Sequence, residues 1–344
     1  MRTFRCTCGA RVFFENSRCL ACQRELGFLR ERLELCALEP AGGELFEAAG
    51  GRYRKCSNYV EQGVCNWLVL AERGTDLCAA CSLNRVIPDL SQPESRVLWG
   101  EVERAKRALL YGLGRIGLPV ISKQEDPARG LAFDIKADTA GEHVLTGHSE
   151  GLVTLNLREA DPAIREKVRV DMNERYRTLL GHFRHEVGHY FFDRLVGAGP
   201  HLDEFRELFG DERADYAAAL ARHYQDPPAP GFHDAFISSY ARAHPAEDWA
   251  ETFAHYLHLL DTLETGQHFG FAQGIPARMS LPGISDLDVV LAEWTELTIA
   301  LNALNRSMGM PDAYPFAISP AVRRKLEFVH RVVRECREPA SHAA

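Results

Sequence analysis

Three groups of residues in this 344-residue chain have the types and spacings of metal ligands. His185-Glu186-Val187-Gly188-His189 sets two imidazoles four residues apart. On an α-helix that separation puts both on one face, within reach of a single ion. Glu186 between them can stand beside a water at the ion and act as a general base. The other two groups are thiols. Nine of the ten cysteines fall between Cys6 and Cys81, and in a reducing compartment such clustering signals metal rather than disulfides. Cys6-x-Cys8 with Cys19-x-x-Cys22 makes one set of four, with Gly9 directly after the second thiol. Cys56, Cys65 and Cys78-x-x-Cys81 make the other. Short knuckles of this kind aim backbone N–H groups at sulfur, and four thiolates complete a tetrahedral structural zinc site.

Two histidines alone hold zinc poorly, so the first group needs a third protein ligand. A glycine at 192 and a histidine at 195 would supply it from the same helix, but Phe192 and Leu195 stand there. That scheme is excluded. Glu247 and Glu251 are four apart and share a helical face. The expected arrangement has Glu247 as third ligand and Glu251 hydrogen-bonded to a ligand histidine, fixing its tautomer. Exchange of those two roles is the alternative.

A helix over residues 171–196 is required to carry the histidines. Tyr176, Leu179, Leu180, Phe183, Val187, Tyr190 and Phe191 would be its buried face. Gly181 and Gly188 would border the metal face and leave room for a substrate. Asp161-Pro162 reads as the cap and first residue of an earlier helix. A helix over 204–224 is followed by a break at 226–231, and a helix from Pro245 carries both glutamates. His182, Asp215, His255 and His258 read as solvated or packing residues rather than ligands. Residues 287–304 and 320–336 supply helical packing. Upstream, the pattern predicts a helix over 95–112 and a hairpin with strands at 143–146 and 152–156. A strand is expected at 67–70, and a short helix around Cys36 with Phe28, Leu29, Leu33 and Leu35. The stretch 87–93, with two prolines, reads as a linker. The fold class is therefore α+β, with a double zinc ribbon over 1–92 and a mainly helical domain with a short edge-stranded sheet over 93–344.

The pair His185-Glu186-x-x-His189 and Glu247-x-x-Ala250-Glu251 resembles the gluzincin metallopeptidases, particularly the lethal-factor-like branch. That branch has a tyrosine seven residues before the ligand glutamate, where this chain has Tyr240, and an asparagine three before it, where this chain has His244. The resemblance implies a zincin-like domain in which Tyr240 donates a hydrogen bond to the developing oxyanion. It also implies that strand 152–156 is an edge to which an extended substrate pairs. With its ribbons, the whole chain resembles bacterial zinc-binding metallopeptidases of unassigned substrate.

The expected cofactors are three zinc ions, one catalytic and two structural, and the expected activity is peptide-bond hydrolysis. The alternatives are a ribbon adaptor with a silent zinc site and a zinc amidase for a non-peptide amide. A net charge of −8 argues against nucleic acid as partner. Residues 1–92 hold twelve Arg/Lys against eleven Asp/Glu, and eight thiolates around two zinc ions bring them to about −3. Arg52, Arg54 and Lys55 form only a small basic group. A protein partner for the ribbons is expected instead. No apolar run precedes Cys6 and none reaches the roughly 20 residues of a membrane span. A cytoplasmic protein without a membrane partner is expected. Cys336 has no assigned role.

Overall fold

The computed structural model describes residues 1–139, 141, 143–172, 174–197, 199–226, 231–272, 274, 284 and 286–336. They form two compact units, Met1–Arg115 with Val120–Arg165, and Ile116–Pro119 with the chain from Glu166 onward. The architecture is α+β, with short strands around the cysteines and a largely helical remainder with a small sheet.

In the first unit, strands β1 (Phe4–Arg5) and β2 (Arg11–Val12) pair antiparallel and flank the first knuckle. Gly9 closes that knuckle at φ +87, a left-handed conformation that strains any residue with a Cβ. β3 (Leu26–Leu29) and β4 (Glu34–Ala37) form a hairpin with Gly27 opposite Cys36. The helix expected around Cys36 is thus a strand. Leu35 and Ala37 are buried while Glu34 and Cys36 are half-buried, the two-residue alternation of a sheet, and Leu33 turns the chain at φ +51. β5 (Glu39–Pro40), β6 (Phe46–Ala48), β7 (Gly51–Lys55) and β8 (Leu68–Leu70) make an antiparallel meander. A one-turn helix α1 (Ser57–Val60) follows Cys56. The buried thiols share a core with Phe14, Phe28, Trp67 and Tyr111.

β9 (Asn84–Val86), helix α2 (Pro93–Ile116), β10 (Ala132–Lys136), β11 (Gly147–Ser149) and β12 (Leu152–Asn156) follow. Their sheet has the order β11-β12-β10-β9, with β10 parallel to both β9 and β12. The hairpin begins later than its pattern suggests. His148 pairs with Val153, which leaves Glu150 and Gly151, both at positive φ, as the turn. β12 is bonded by β10 on one side and β11 on the other. It is an inner strand, its backbone groups already engaged, so the expected pairing of 152–156 with a substrate is corrected.

Helix α3 (Pro162–Asp171) starts as expected, with Asp161 Oδ1 accepting the Ala163 N–H at 2.8 Å. The helices that belong wholly to the second unit are α4 (Leu179–Leu195), α5 (Leu202–Phe209), α6 (Tyr216–Gln225), α7 (Pro245–Phe269), α8 (Leu287–Ser307) and α9 (Pro320–Glu335). α4 begins eight residues later than expected, because Thr178 Oγ1 accepts the Gly181 N–H at 2.9 Å and caps it there. Tyr176 lies outside it. The single helix expected over 204–224 is two, since Gly210 ends α5 and Asp215 caps α6. Residues 227–230 of the expected break lie outside the described residues.

α4 and α7 pack directly. A Cβ on Gly188 would lie 3.0 Å from the Ala250 Cα, and Trp249 Nε1 donates to the Gly188 carbonyl at 2.8 Å. A Cβ on Gly181 would meet Thr178 Oγ1 at 2.9 Å. Both glycines therefore serve close packing, not room for a substrate. α9 is tied to α7 by Lys325 Nζ, 2.5 Å from Asp248 Oδ2.

Candidate metal centre

Each helix delivers its part of the site in a fixed register. On α4 the four-residue spacing sets His185 and His189 on one side. On α7 Pro245 takes the first helical position behind the cap His244, which puts Glu247 in the first turn. His244 Nδ1 accepts the Ala246 N–H at 3.1 Å and Nε2 donates to the Ala214 carbonyl at 3.0 Å. Where the lethal-factor-like branch has asparagine, this histidine starts the helix.

The ligand atoms of His185, His189 and Glu247 lie within 4.8 Å of one another. The two Nε2 atoms are 3.3 Å apart, and Glu247 Oε2 is 2.9 Å from His185 Nε2 and 3.6 Å from His189 Nε2. Atoms bound tetrahedrally to zinc at about 2.0–2.1 Å are about 3.3 Å apart. The triangle has the size of one face of a zinc tetrahedron.

The proton positions agree. Glu251 Oε1 lies 2.7 Å from His185 Nδ1, a contact that favours a ring proton there and turns Nε2 inward. Glu247 Oε1 accepts from the Tyr216 hydroxyl at 2.7 Å, while the buried Oε2 accepts no hydrogen bond. Three potential ligand atoms converge, His185 Nε2, His189 Nε2 and Glu247 Oε2. A cation fits this donor set. Burial alone would raise Glu247 and lower His185, but their contacts reverse both. Glu247 is held far below the usual carboxylate range by His185 and His189, and His185 is held well above its ordinary value by Glu247 and Glu251. Burial would likewise raise Glu251, yet His185 draws it down to about 2.

Residues 95–332 match the family described as "Putative zinc-binding metallo-peptidase". The chain belongs to that family. Residues 3–92 match a family described as a zinc-ribbon domain. Proteins of Mycobacterium tuberculosis (strain H37Rv) and Mycobacterium bovis, both named only as uncharacterized, are 43% identical over 339 residues. The alignment covers 97% of this chain and 96% of each relative. No solved structure matches. Membership of this metallopeptidase family implies zinc as the metal and a peptide or protein as substrate. Among the described residues no helix is long and apolar enough to cross a membrane.

The remaining residues of this family member's site come from α4 and from a 3-10 turn before α7. Glu186 is buried between the histidines. Burial, then the Glu247 charge, raises the Tyr216 hydroxyl. Tyr240 opens the 3-10 turn Tyr240–Arg242, its ring centroid 5.8 Å from that of His185. Burial, then the Glu247 charge, pushes its hydroxyl far above the usual phenol value, so it stays a proton donor. Tyr216 was not legible as a site residue. It stands 31 residues before Glu247 on a helix of its own, and the one local signal is the cap Asp215, whose Oδ1 accepts the Ala218 N–H at 3.0 Å. His255 and His258 are buried and engaged elsewhere, with the Tyr314 hydroxyl at 2.8 Å and Arg184 Nη1 at 2.5 Å.

In the other unit the eight knuckle cysteines form the two expected groups, Cys6, Cys8, Cys19, Cys22 and Cys56, Cys65, Cys78, Cys81. Sγ separations are 3.6 Å for Cys6–Cys22 and 3.7 Å for Cys8–Cys19 and Cys65–Cys78. Thiolates on one zinc at about 2.3 Å are about 3.8 Å apart, so the spacing suits a shared ion. The Trp67 and Cys78 N–H groups reach the Cys65 and Cys56 sulfurs at 3.4 Å. Cys36 and the exposed Cys336 belong to neither group.

Proposed function

We propose that the protein hydrolyses peptide bonds at a zinc site made by His185, His189 and Glu247, and that its two cysteine groups hold structural zinc. The observation that carries this reading is the convergence of His185 Nε2, His189 Nε2 and Glu247 Oε2, 2.9–3.6 Å apart. Zinc bound there supplies a Lewis acid that lowers the pKa of a water and polarises the scissile carbonyl. Glu186 takes the proton of the attacking water and passes it to the leaving amine. Tyr240, kept protonated, donates to the oxygen that becomes negative as the carbonyl is attacked. Glu251 holds the His185 ring in one tautomer. This division of roles is that of the lethal-factor-like gluzincins.

Residues 1–92 are proposed as a double zinc ribbon that engages a protein partner, and 93–344 as the peptidase. The family matches over 3–92 and 95–332 support that division, although α2 lies in one compact unit with the ribbons. A cytoplasmic location is part of the same proposal, since eight of the ten cysteines stand in two metal-ligand groups, the usage of a reducing compartment.

The test is Glu186→Gln in the full chain. Zinc content should stay at three ions while turnover of a peptide library falls about 10³-fold. Retained turnover ends the general-base role of Glu186. A fully zinc-loaded wild type that cleaves no peptide ends the peptidase reading.

A further inference from the structure

A carboxylate beside a metal can bind through one oxygen or both, and the choice decides whether the ion keeps a position for water. In this site the two oxygens of Glu247 have different surroundings. Oε1 accepts from the Tyr216 hydroxyl at 2.7 Å, and Oε2 has no hydrogen-bond donor and faces both imidazoles. We propose that Tyr216 is a positioning residue that holds Glu247 as a one-oxygen ligand and so keeps the fourth coordination position open. The inference rests on Glu247 being a metal ligand, and it concerns a residue outside the histidine motif and outside α7.

The phenol is fixed from several sides. Tyr216 is the first residue of α6, and Asp215 caps that helix through the Ala218 N–H. The preceding Ala214 carbonyl is bound by His244 Nε2 at 3.0 Å, and the rings of Tyr216 and His244 meet edge to face at 5.2 Å. His244 is also the cap of α7. The donor Tyr216 and the acceptor Glu247 therefore hang from one joint between two helix starts, which fixes their separation more tightly than one hydrogen bond could. Swinging Oε1 toward the ion would break the hydrogen bond from Tyr216.

The experiment uses the full chain with zinc left in the cysteine groups and cobalt(II) exchanged into the His–Glu site. Four-coordinate cobalt(II) absorbs visible light more strongly than five-coordinate, so the spectrum reads the binding mode of Glu247 without any substrate. Tyr216→Phe should weaken and shift the absorption, and zinc should bind at least about 10-fold less tightly. Asp215→Ala, which loosens the first turn of α6 and leaves the phenol, should move the spectrum the same way by less. Circular dichroism should match the parent for both, since Tyr216 is 44% exposed and only its hydroxyl is removed. A Tyr216→Phe spectrum superimposable on the parent overturns the proposal. Glu247→Ala separates the two levels of failure. If that variant also leaves the spectrum unchanged, Glu247 is not a ligand and the underlying reading fails. If Glu247→Ala changes the spectrum and Tyr216→Phe does not, the role of Tyr216 alone fails.

Discussion

In the cysteine groups, three of the four knuckle pairs need only local geometry. Cys6 and Cys8 are two residues apart, and Cys19–Cys22 and Cys78–Cys81 are three apart. In the two-helix centre the proposed third ligand, Glu247, comes 58 residues after His189 and on another helix. The first arrangement uses four thiolates and leaves no coordination position free, which suits a structural ion. The second, on the proposed reading, supplies three protein ligands and leaves a position open, with Glu186, Glu251, Tyr216 and Tyr240 around them. A closed site can be specified by short loops. An open one needs the tertiary structure to hold an unfilled geometry, so its supports reach further along the chain.

That contrast can be tested from its strongest consequence downward. Cys78 is 1% exposed in the core shared with Trp67 and Tyr111. Cys78→Ser should lose one zinc of three and unfold the ribbon around it, because structural zinc contributes on the order of 10 kcal/mol to such folds. Zinc content and Trp67 fluorescence read the loss. The His–Glu zinc should remain, and its departure together with the ribbon ion would make the two regions one cooperative unit.

Gly188→Val tests whether the open site depends on helix contact. The new side chain must push against the Ala250 backbone, 3.0 Å from its Cβ position, at a cost of about 1–3 kcal/mol. Melting temperature should fall, and zinc affinity at the His–Glu site should fall with it while the cysteine sites keep their metal. A stable variant with full zinc affinity would show that α4 and α7 need not pack so closely.

His244→Ala is the smallest change. It removes the acceptor for the Ala246 N–H and the donor to Ala214, with an expected loss of about 1 kcal/mol measured by denaturant unfolding. His244→Asn should recover most of the cap but not the bond to Ala214. Equal loss in both variants would mean that the link to Ala214, rather than the cap, is what matters.

Helical periodicity alone placed His185, Glu186 and His189 on one helix and Glu247 with Glu251 on another, since one turn of helix is a local property. The thiol groups were equally legible, because knuckle spacing and thiolate chemistry leave few alternatives. Local reasoning failed where neighbours distant in the chain decide. Cys36 went into a strand because Gly27 pairs with it, and β12 became an inner strand because β10 and β11 take both its edges. Gly188 is small because the Ala250 backbone crosses it, which no pattern within α4 announces.

The amino-acid sequence by itself determined which side chains can hold metal, and it pointed to a second helix for the proposed third ligand, because ligand chemistry and helical repeat act over a few residues. Only the tertiary structure decided which oxygen of Glu247 faces the imidazoles, that Tyr216 holds the other, and that His244 joins the starts of α6 and α7. Those contacts span 30 residues or more. They exist only once the helices pack, and packing is a property of the whole unit.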